Sequence, residues 1–373
     1  MVEKKIVVAG SLVLDILPVI GQEPGDILAE GKVTECGGTM AYLGGEVGNT
    51  GLALHKMHIP VRLVSKIGSD TIGKIVKSLL ENYNAEHILK EQLNSVSSAS
   101  VALALPGRDK STLHSRGASQ SFASEDITPE VLEHCFLLHF GYPPAMKYLY
   151  RENGEEFLRL IAKVKERNVP FSMDMSLPDL KAEPGKVDWR PILEKALPMT
   201  DIFLPSLEEA IFLLDRNRYC KLAAENGNGD MMDLLSESDA EAVGNAALDM
   251  GADVVLVKAG KRGMYLCTAG KGRLETSGIP VFRENAGWQN RRIWIRPYQV
   301  EKILSTTGAG DTAVAGFLAS IYKGKGPEEA LEMAAYAASI CIRSYDTVSG
   351  MDRFEKMEKD RKNLGGKGIL EEG

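Results

Sequence analysis

The sequence predicts an α/β fold: a three-layer α/β/α sandwich with a mostly parallel central sheet and a small β-sheet lid. Three observations predict it. Short β-branched runs such as Ile6–Ala9 lack polar alternation, which suits strands buried on both faces. These runs alternate with helical patterns, the order that builds βα units and parallel strands. Two segments, about 12–43 and 95–118, have strand and turn character with no helix between. Antiparallel strands drawn from them would make a second sheet covering a pocket.

In chain order, strands are expected at Ile6–Ala9, Arg62–Lys66, Phe136–Phe140, Phe171–Met175, Asp201–Leu204 and Val254–Lys258. Helices are expected at Asn49–Met57, Thr71–Tyr83, Glu155–Arg167, Leu207–Leu214, Gly308–Tyr322 and Pro327–Arg343. Thr71–Tyr83 carries Ile72, Ile75, Val76, Leu79 and Leu80 at helical spacing. Residues 216–240 are polar, contain Asn226-Gly-Asn-Gly, and predict a surface insertion. The tail 365–373 is expected to be loose. No internal repeat appears, so 1–373 reads as a single domain.

The 373 residues are 44% hydrophobic and 25% charged, an ordinary globular composition. A formal charge of −7 without a basic run excludes a protein that coats nucleic acid. No apolar stretch reaches the ~18 residues of a membrane span. Asp15 interrupts the first apolar run and no small-residue cleavage site follows, so a cytoplasmic protein is expected. The cysteines at 36, 135, 220, 267 and 341 form no C-x-x-C pair and are odd in number, which predicts reduced thiols. His55 with His58, and His134 with His139, lack the company of a zinc site.

Chemistry is concentrated in Ser305-Thr-Thr-Gly-Ala-Gly-Asp-Thr-Ala-Val-Ala-Gly-Phe-Leu318. The small residues Gly308, Ala309 and Gly310 let backbone approach a ligand, and a helix begins immediately after them. Its N–H groups and dipole make an anion hole suited to a phosphoryl group. Asp311 stands at the mouth, placed to take a proton from an attacking hydroxyl. A glycine turn with Asp311 as helix cap is the competing account. By contrast, Gly68-Ser-Asp-Thr-Ile-Gly73-Lys74 has P-loop spacing but continues with Ile75, so the magnesium-binding hydroxyl is missing.

The stretch 305–318 resembles the C-terminal signature of the ribokinase (PfkB-type) carbohydrate kinase family. That resemblance implies a ribokinase-like fold, ATP and Mg2+, Asp311 as catalytic base, and the amides of Ala309, Gly310 and Asp311 as anion hole. Gly44-Gly45-Glu-Val-Gly-Asn49 is similar to the family's N-terminal signature, implying that Gly44, Gly45 and Asn49 bind the sugar. Gly10-Ser-Leu-Val-Leu-Asp15 is similar to the family's opening, where the Asp binds substrate hydroxyls. Pro205-Ser206-Leu-Glu-Glu209 resembles the N-x-x-E element whose Glu helps hold magnesium. Ser206 replaces the Asn there, and a Ser-capped helix with a capping-box Glu satisfies the same residues. Val254–Gly263 resembles the strand and turn beside ATP, which assigns Lys258, Gly260 and Gly263 to the nucleotide, with Ser206 and Thr306. Lys258 stands where the family usually has Thr. Asp174 ends a central strand and is assigned, with Glu209, to the metal. The family also responds in many members to a monovalent cation such as K+; Ser305 stands where an Asp is common there.

The implied function is transfer of the γ-phosphoryl of ATP to a hydroxyl of a sugar or sugar acid. The nearest alternative is a nucleoside kinase of the same family, with His139-Phe-Gly-Tyr142-Pro-Pro presenting an aromatic surface to a base. A non-catalytic nucleotide or sugar sensor is the second, against which the intact Asp311 and Glu209 argue. A homodimer through the lids is expected from alternating apolar residues: Leu12, Val13, Leu14 and Ile16, with Val101, Leu103 and Leu105.

Overall fold

The computed structural model describes residues 3–20, 31, 33, 35–103, 111–227, 229–364 and 369–371. Among the described residues, fourteen strands form two sheets. In chain order they are β1 (Lys5–Gly10), β2 (Val13–Pro18), β3 (Thr39–Gly44), β4 (Val61–Gly68), β5 (His87–Gln92), β6 (Ala99–Leu103) and β7 (Ser111–Ser115). Then follow β8 (Cys135–Gly141), β9 (Phe171–Asp174), β10 (Ile202–Phe203), β11 (Val254–Lys258), β12 (Met264–Thr268), β13 (Arg292–Ile295) and β14 (Ile369–Glu371).

The large sheet has the order β14-β13-β12-β11-β10-β9-β8-β1-β4-β5. From β11 through to β5 all neighbours are parallel, while β12, β13 and β14 add antiparallel strands at one edge. The unbroken apolar run of β1 has the expected cause. Ile6 and Val8 pack into one core with Phe317 of the helix Ala309–Tyr322; Val7 and Ala9 pack into the other with Phe157 and Ile161 of the helix Glu155–Lys165. A strand with helices on both faces has no polar side to show. All five cysteines are free.

The smaller sheet has the order β3-β2-β6-β7. It is not wholly antiparallel as expected: β2 pairs with β6 in parallel, Leu14 opposite Ala99. Its apolar residues are also disposed differently. Leu12, Val13 and Leu14 are buried within the chain, and Leu12 and Leu14 belong to the main core, with Ile16 packed against it. Val101 and Leu103 are half-buried, and Leu105 lies outside the described residues. The face expected to need a second lid is therefore largely covered by the protein's own helices and strands. The one large apolar side chain of β7, Leu113, is exposed.

Residues 216–226, in the expected insertion, are helical. Asp215 caps a helix, Arg216–Asn226, by accepting from the Arg218 amide at 3.1 Å, and Tyr219 is buried against Phe212. Part of the tail forms β14 against β13; 365–368 and 372–373 lie outside the described residues. The P-loop-like stretch is a strand-to-helix turn, with Asp70 accepting from the Gly73 amide at 3.0 Å.

Candidate active site

The residues singled out in the sequence gather at the carboxyl ends of the parallel strands, where ligands of open α/β sheets sit. The helix Ala309–Tyr322 begins there. Gly308 precedes it at φ 73°, and a β-carbon on Gly308 would come within 2.5 Å of Thr347. Both facts demand glycine. The Ala309 amide donates to the Thr306 carbonyl at 3.3 Å. One of the three amides expected in the anion hole is thus committed; those of Gly310 and Asp311 have no acceptor among the described residues. A β-carbon on Gly310 would meet only the Lys258 side chain, at 3.6 Å, an ordinary contact. That glycine keeps space open for a ligand and relieves no clash.

Asp311 is 6% exposed. Its Oδ2 accepts from Asn49 Nδ2 at 2.6 Å, its Oδ1 from the Tyr142 hydroxyl, and its main-chain oxygen from Thr50 Oγ1 at 3.1 Å. Asn49 and Thr50 lie on a buried π-turn, Val47–Gly51, that follows the Gly44-Gly45 pair. Asn49 therefore holds the carboxylate as well as facing the cavity beside it. Gly44 and Gly45 have steric duties: a β-carbon on Gly44 would collide with the Asp15 carboxylate, and Gly45 sits at φ 72° against the Ser11 carbonyl. Asp15 itself lies on β2 opposite Tyr42 and lines the same cavity.

On the other side of Asp311, Lys258 at the end of β11 makes a salt bridge with Asp174 at the end of β9. Asp174 is fully buried and Lys258 nearly so. Burial works against the ammonium, but the carboxylates of Asp174, Glu209 and Asp311 outweigh it and hold its pKa above the usual lysine value. Ser206 and Glu209 form a reciprocal capping box, Glu209 Oε2 accepting from the Ser206 amide at 2.7 Å and Ser206 Oγ from the Glu209 amide at 3.3 Å. The capping account of these residues is correct, and Glu209 lines the cavity as well. Gly260 at φ 52° and Gly263 at φ 99° shape the turn beyond β11; a side chain on Gly263 would strike the Ile295 carbonyl.

Three residues of this centre escaped the sequence reading. Tyr142 adopts φ 67°, unusual for a bulky residue, and points its hydroxyl at Asp311. Burial and the nearby Asp311 charge raise its pKa well above the ordinary value, so it stays a donor. His139 and Glu46 are both fully buried, with Nε2 3.0 Å from Glu46 Oε1 and Nδ1 2.8 Å from Ser172 Oγ. Burial lowers His139 to about 4 and raises Glu46 to about 8, so the pair is neutral at pH 7. Glu46 Oε2 and Asn49 Oδ1 are buried without partners among the described residues. The signal for Glu46 was a charged residue inside a glycine turn. For His139 and Tyr142 there was only their place at a strand end, where an aromatic wall was expected instead. His139 and Phe140 are fully buried, so of that segment only Tyr142 and Pro144 face the cavity under the small sheet.

Two cavities meet here. One, of about 790 Å³, lies under the small sheet and is lined by Asp15, Gly45, Asn49 and Gly308. The other, of about 630 Å³, is lined by Asp174, Glu209, Lys258, Gly260, Gly263, Thr306 and Gly310 together with Tyr298, Val300, Ile303 and Ile342. Asp311 and Tyr142 line both. A hard divalent cation suits the junction: oxygens of Glu46, Asp174 and Asp311 lie within 4.8 Å of one another, and one Glu46 oxygen has no partner. Glu209, expected at the metal, is outside that closest group, and Glu46, not expected, is inside it.

The chain is similar to known sugar kinases along most of its length. An Archaeoglobus fulgidus protein described as an uncharacterized sugar kinase is 24% identical over 302 residues, covering 81% of this chain and 99% of that protein. Arabidopsis thaliana ribokinase is 26% identical over 351 residues, covering 93% of this chain and 78% of that protein. The structure of Arabidopsis ribokinase complexed with ribose and ATP superposes with a TM-score of 0.67 at 21% identity, covering 97% of this chain and 99% of the other. The profile of the pfkB family carbohydrate kinases matches residues 3–353, and the chain belongs to that family.

Proposed function

We propose that the chain transfers the terminal phosphoryl group of ATP to a hydroxyl of a sugar-like acceptor, with Asp311 as base. One observation carries this: Asp311 stands where a polar cavity under the lid meets a cavity lined by a lysine, by glycines and by a set of apolar side chains. The first suits a polyol, held by Asp15, Asn49 and the backbone at Gly44 and Gly45. The second suits a nucleotide, its base among Tyr298, Val300 and Ile303 and its phosphates toward Gly310 and Lys258.

The acceptor's hydroxyl oxygen forms a bond to the terminal phosphorus as its proton passes to Asp311. The bond from phosphorus to the bridging oxygen breaks, and ADP leaves. Asn49 and Tyr142 each donate to one Asp311 oxygen, which fixes the carboxylate's orientation. The amides of Gly310 and Asp311, at the positive end of their helix, face the charge that develops on the equatorial oxygens. Mg2+, held by Asp174 with Glu209 or Glu46 nearby, would supply further neutralisation of phosphate charge. The small sheet, over the acceptor, excludes the water that competes for the phosphoryl group.

The test is ATP consumption across a panel of sugars, sugar acids and nucleosides, with Asp311→Asn as control. Turnover on a polyol should fall about 10²–10⁴-fold in the variant, while ATP binding survives. Unaltered turnover removes Asp311 from the mechanism, and turnover on nucleosides alone replaces the acceptor class.

A further inference from the structure

The acceptor cavity has one uneven feature, its charge. Asp15, Asp179 and Asp311 line it, and among its described lining residues Arg116 is the only lysine or arginine. His114, its neighbour in the wall, does not add a second positive charge. Burial, then the charge of Arg116, lowers its pKa below the ordinary histidine value, and its Nδ1 is 2.9 Å from Ser100 Oγ.

Arg116 is held where it is. It follows the exposed strand β7, but its own backbone is anchored to the body. Its carbonyl accepts from Ser98 Oγ at 2.5 Å, and Ser98 Oγ also lies 2.7 Å from Ser119 Oγ. The next residue, Gly117, sits at φ 47° so close to Ser97 that a β-carbon would clash with its backbone. Two residues on, the Ala118 amide donates to the Val96 carbonyl at 2.8 Å. The guanidinium has much less to do. Among the described residues its one hydrogen bond is a long one, 3.4 Å to the Tyr150 hydroxyl, and no carboxylate there forms a salt bridge with it. A half-buried fork of donors on an anchored backbone, with no carboxylate partner among the described residues, in a cavity whose other charged lining residues are acids, is a site prepared for an anion.

We propose that Arg116 makes this kinase selective for a polyhydroxy acid, binding its carboxylate, and this rests on the phosphotransfer reading above. A single guanidinium balances the single charge of a carboxylate; a phosphate ester, with up to two charges, would leave one uncompensated against three acids. Repulsion from Asp15 and Asp311 also sets the direction of binding. The carboxylate lies toward Arg116 and the hydroxyl facing Asp311 comes from the other part of the carbon chain.

The experiment compares gluconate, glucose and glucose 6-phosphate, with their four- and five-carbon counterparts, on the wild type and Arg116→Gln. Phosphoryl transfer is read by ADP release and binding by calorimetry. The wild type should prefer the acids over the neutral sugars. The variant should lose about 10–100-fold in kcat/KM, mostly through KM, on the acids and less than about 3-fold on the neutral sugars, the scale of one hydrogen bond to a charged group. A preference for neutral sugars, a preference for the phosphate esters, or an equal loss on all acceptors overturns the proposal. So does failure of every acid both to bind and to react. If neutral sugars are phosphorylated in preference to the acids, the kinase reading stands while the proposal falls; if the protein binds ATP and acids but phosphorylates nothing, the phosphotransfer reading fails and the proposal falls with it.

Discussion

Glu46→Gln should stabilise the protein at high pH and leave it unchanged at low pH. The folded Glu46 carboxyl keeps its proton up to about pH 8, whereas the unfolded chain releases it near the ordinary 4.5. Below 4.5 both states are protonated and burial of the neutral acid costs nothing extra from titration. Above it, only the unfolded state gains by ionising, so stability falls by about 1.4 kcal/mol per pH unit until the folded group titrates near 8. His139, lowered from 6.5 to about 4, acts in the opposite sense. It lets stability rise with pH between those two values, so the two slopes cancel between 4.5 and 6.5 and the Glu46 slope stands alone above 6.5. Glutamine keeps an oxygen for the His139 ring and has nothing to titrate. Between pH 5 and 8 the variant should gain about 4 kcal/mol on the wild type. Taking about 2.1 cal/mol/K of unfolding entropy per residue, that becomes a relative rise in melting temperature of about 5 °C. Thermal unfolding of both proteins at several pH values reads the difference directly, because every other group titrates alike in the two. Parallel curves would show that Glu46 is ionised in the folded protein, and the account of a neutral Glu46–His139 pair would be wrong.

Two further outcomes follow from the same centre. Gly310→Val should abolish phosphoryl transfer yet leave the melting temperature within a few degrees, because the added β-carbon meets only Lys258 at ordinary distance, while the methyl groups would enter the space proposed for the phosphates; an active variant would make the turn purely structural. Lys258→Met leaves the buried Asp174 carboxylate unpaired and should cost about 3–5 kcal/mol, about 4–6 °C in melting temperature. Adding Asp174→Asn should recover most of that loss, and a single variant as stable as wild type would mean that the salt bridge contributes nothing.

The parts of the fold visible in the sequence were those whose environment is imposed from both sides. Ile6–Ala9 and Val254–Val257 are apolar throughout because both faces of the sheet are covered by core. The helix Arg216–Asn226 was invisible for the opposite reason: it buries only Tyr219 and has no apolar stripe to announce it. β12 to β14 were missed because a short antiparallel edge strand resembles any apolar segment beside a turn. In the site, Asp311, Gly308 and the glycine pair at 44 and 45 were legible because backbone approach restricts them to a few residue types. Their partners were not. Asn49 is 262 positions from Asp311, Glu46 is 93 from His139 and Asp174 is 84 from Lys258, and each pairing exists only through the sheet order. The lid residues Leu12 and Leu14 show the same limit. Their apolar run marked the strand Val13–Pro18 to within a residue, but that Leu12 and Leu14 pack into the protein's own core depended on how the sheet was seated.

The charges at the junction explain why a lysine occupies position 258. Asp174, Glu209 and Asp311 lie around it, and a buried carboxylate is tolerable only when paired or neutralised. Glu46 meets that demand by keeping its proton; Asp174 meets it by holding Lys258. The two solutions differ in what a ligand does to them. A protonated carboxyl offers a phosphate no charge to exchange. The Lys258–Asp174 pair offers both signs: an arriving phosphate attracts the ammonium, and the cation that accompanies it attracts the carboxylate. On the assignment of this cavity to a nucleotide, partners are exchanged with no charge left buried alone, so the desolvation penalty of binding is largely met before the ligand arrives. A threonine at 258 would leave Asp174 to be neutralised by a proton, and its carboxylate would first have to ionise in a buried site before meeting a metal.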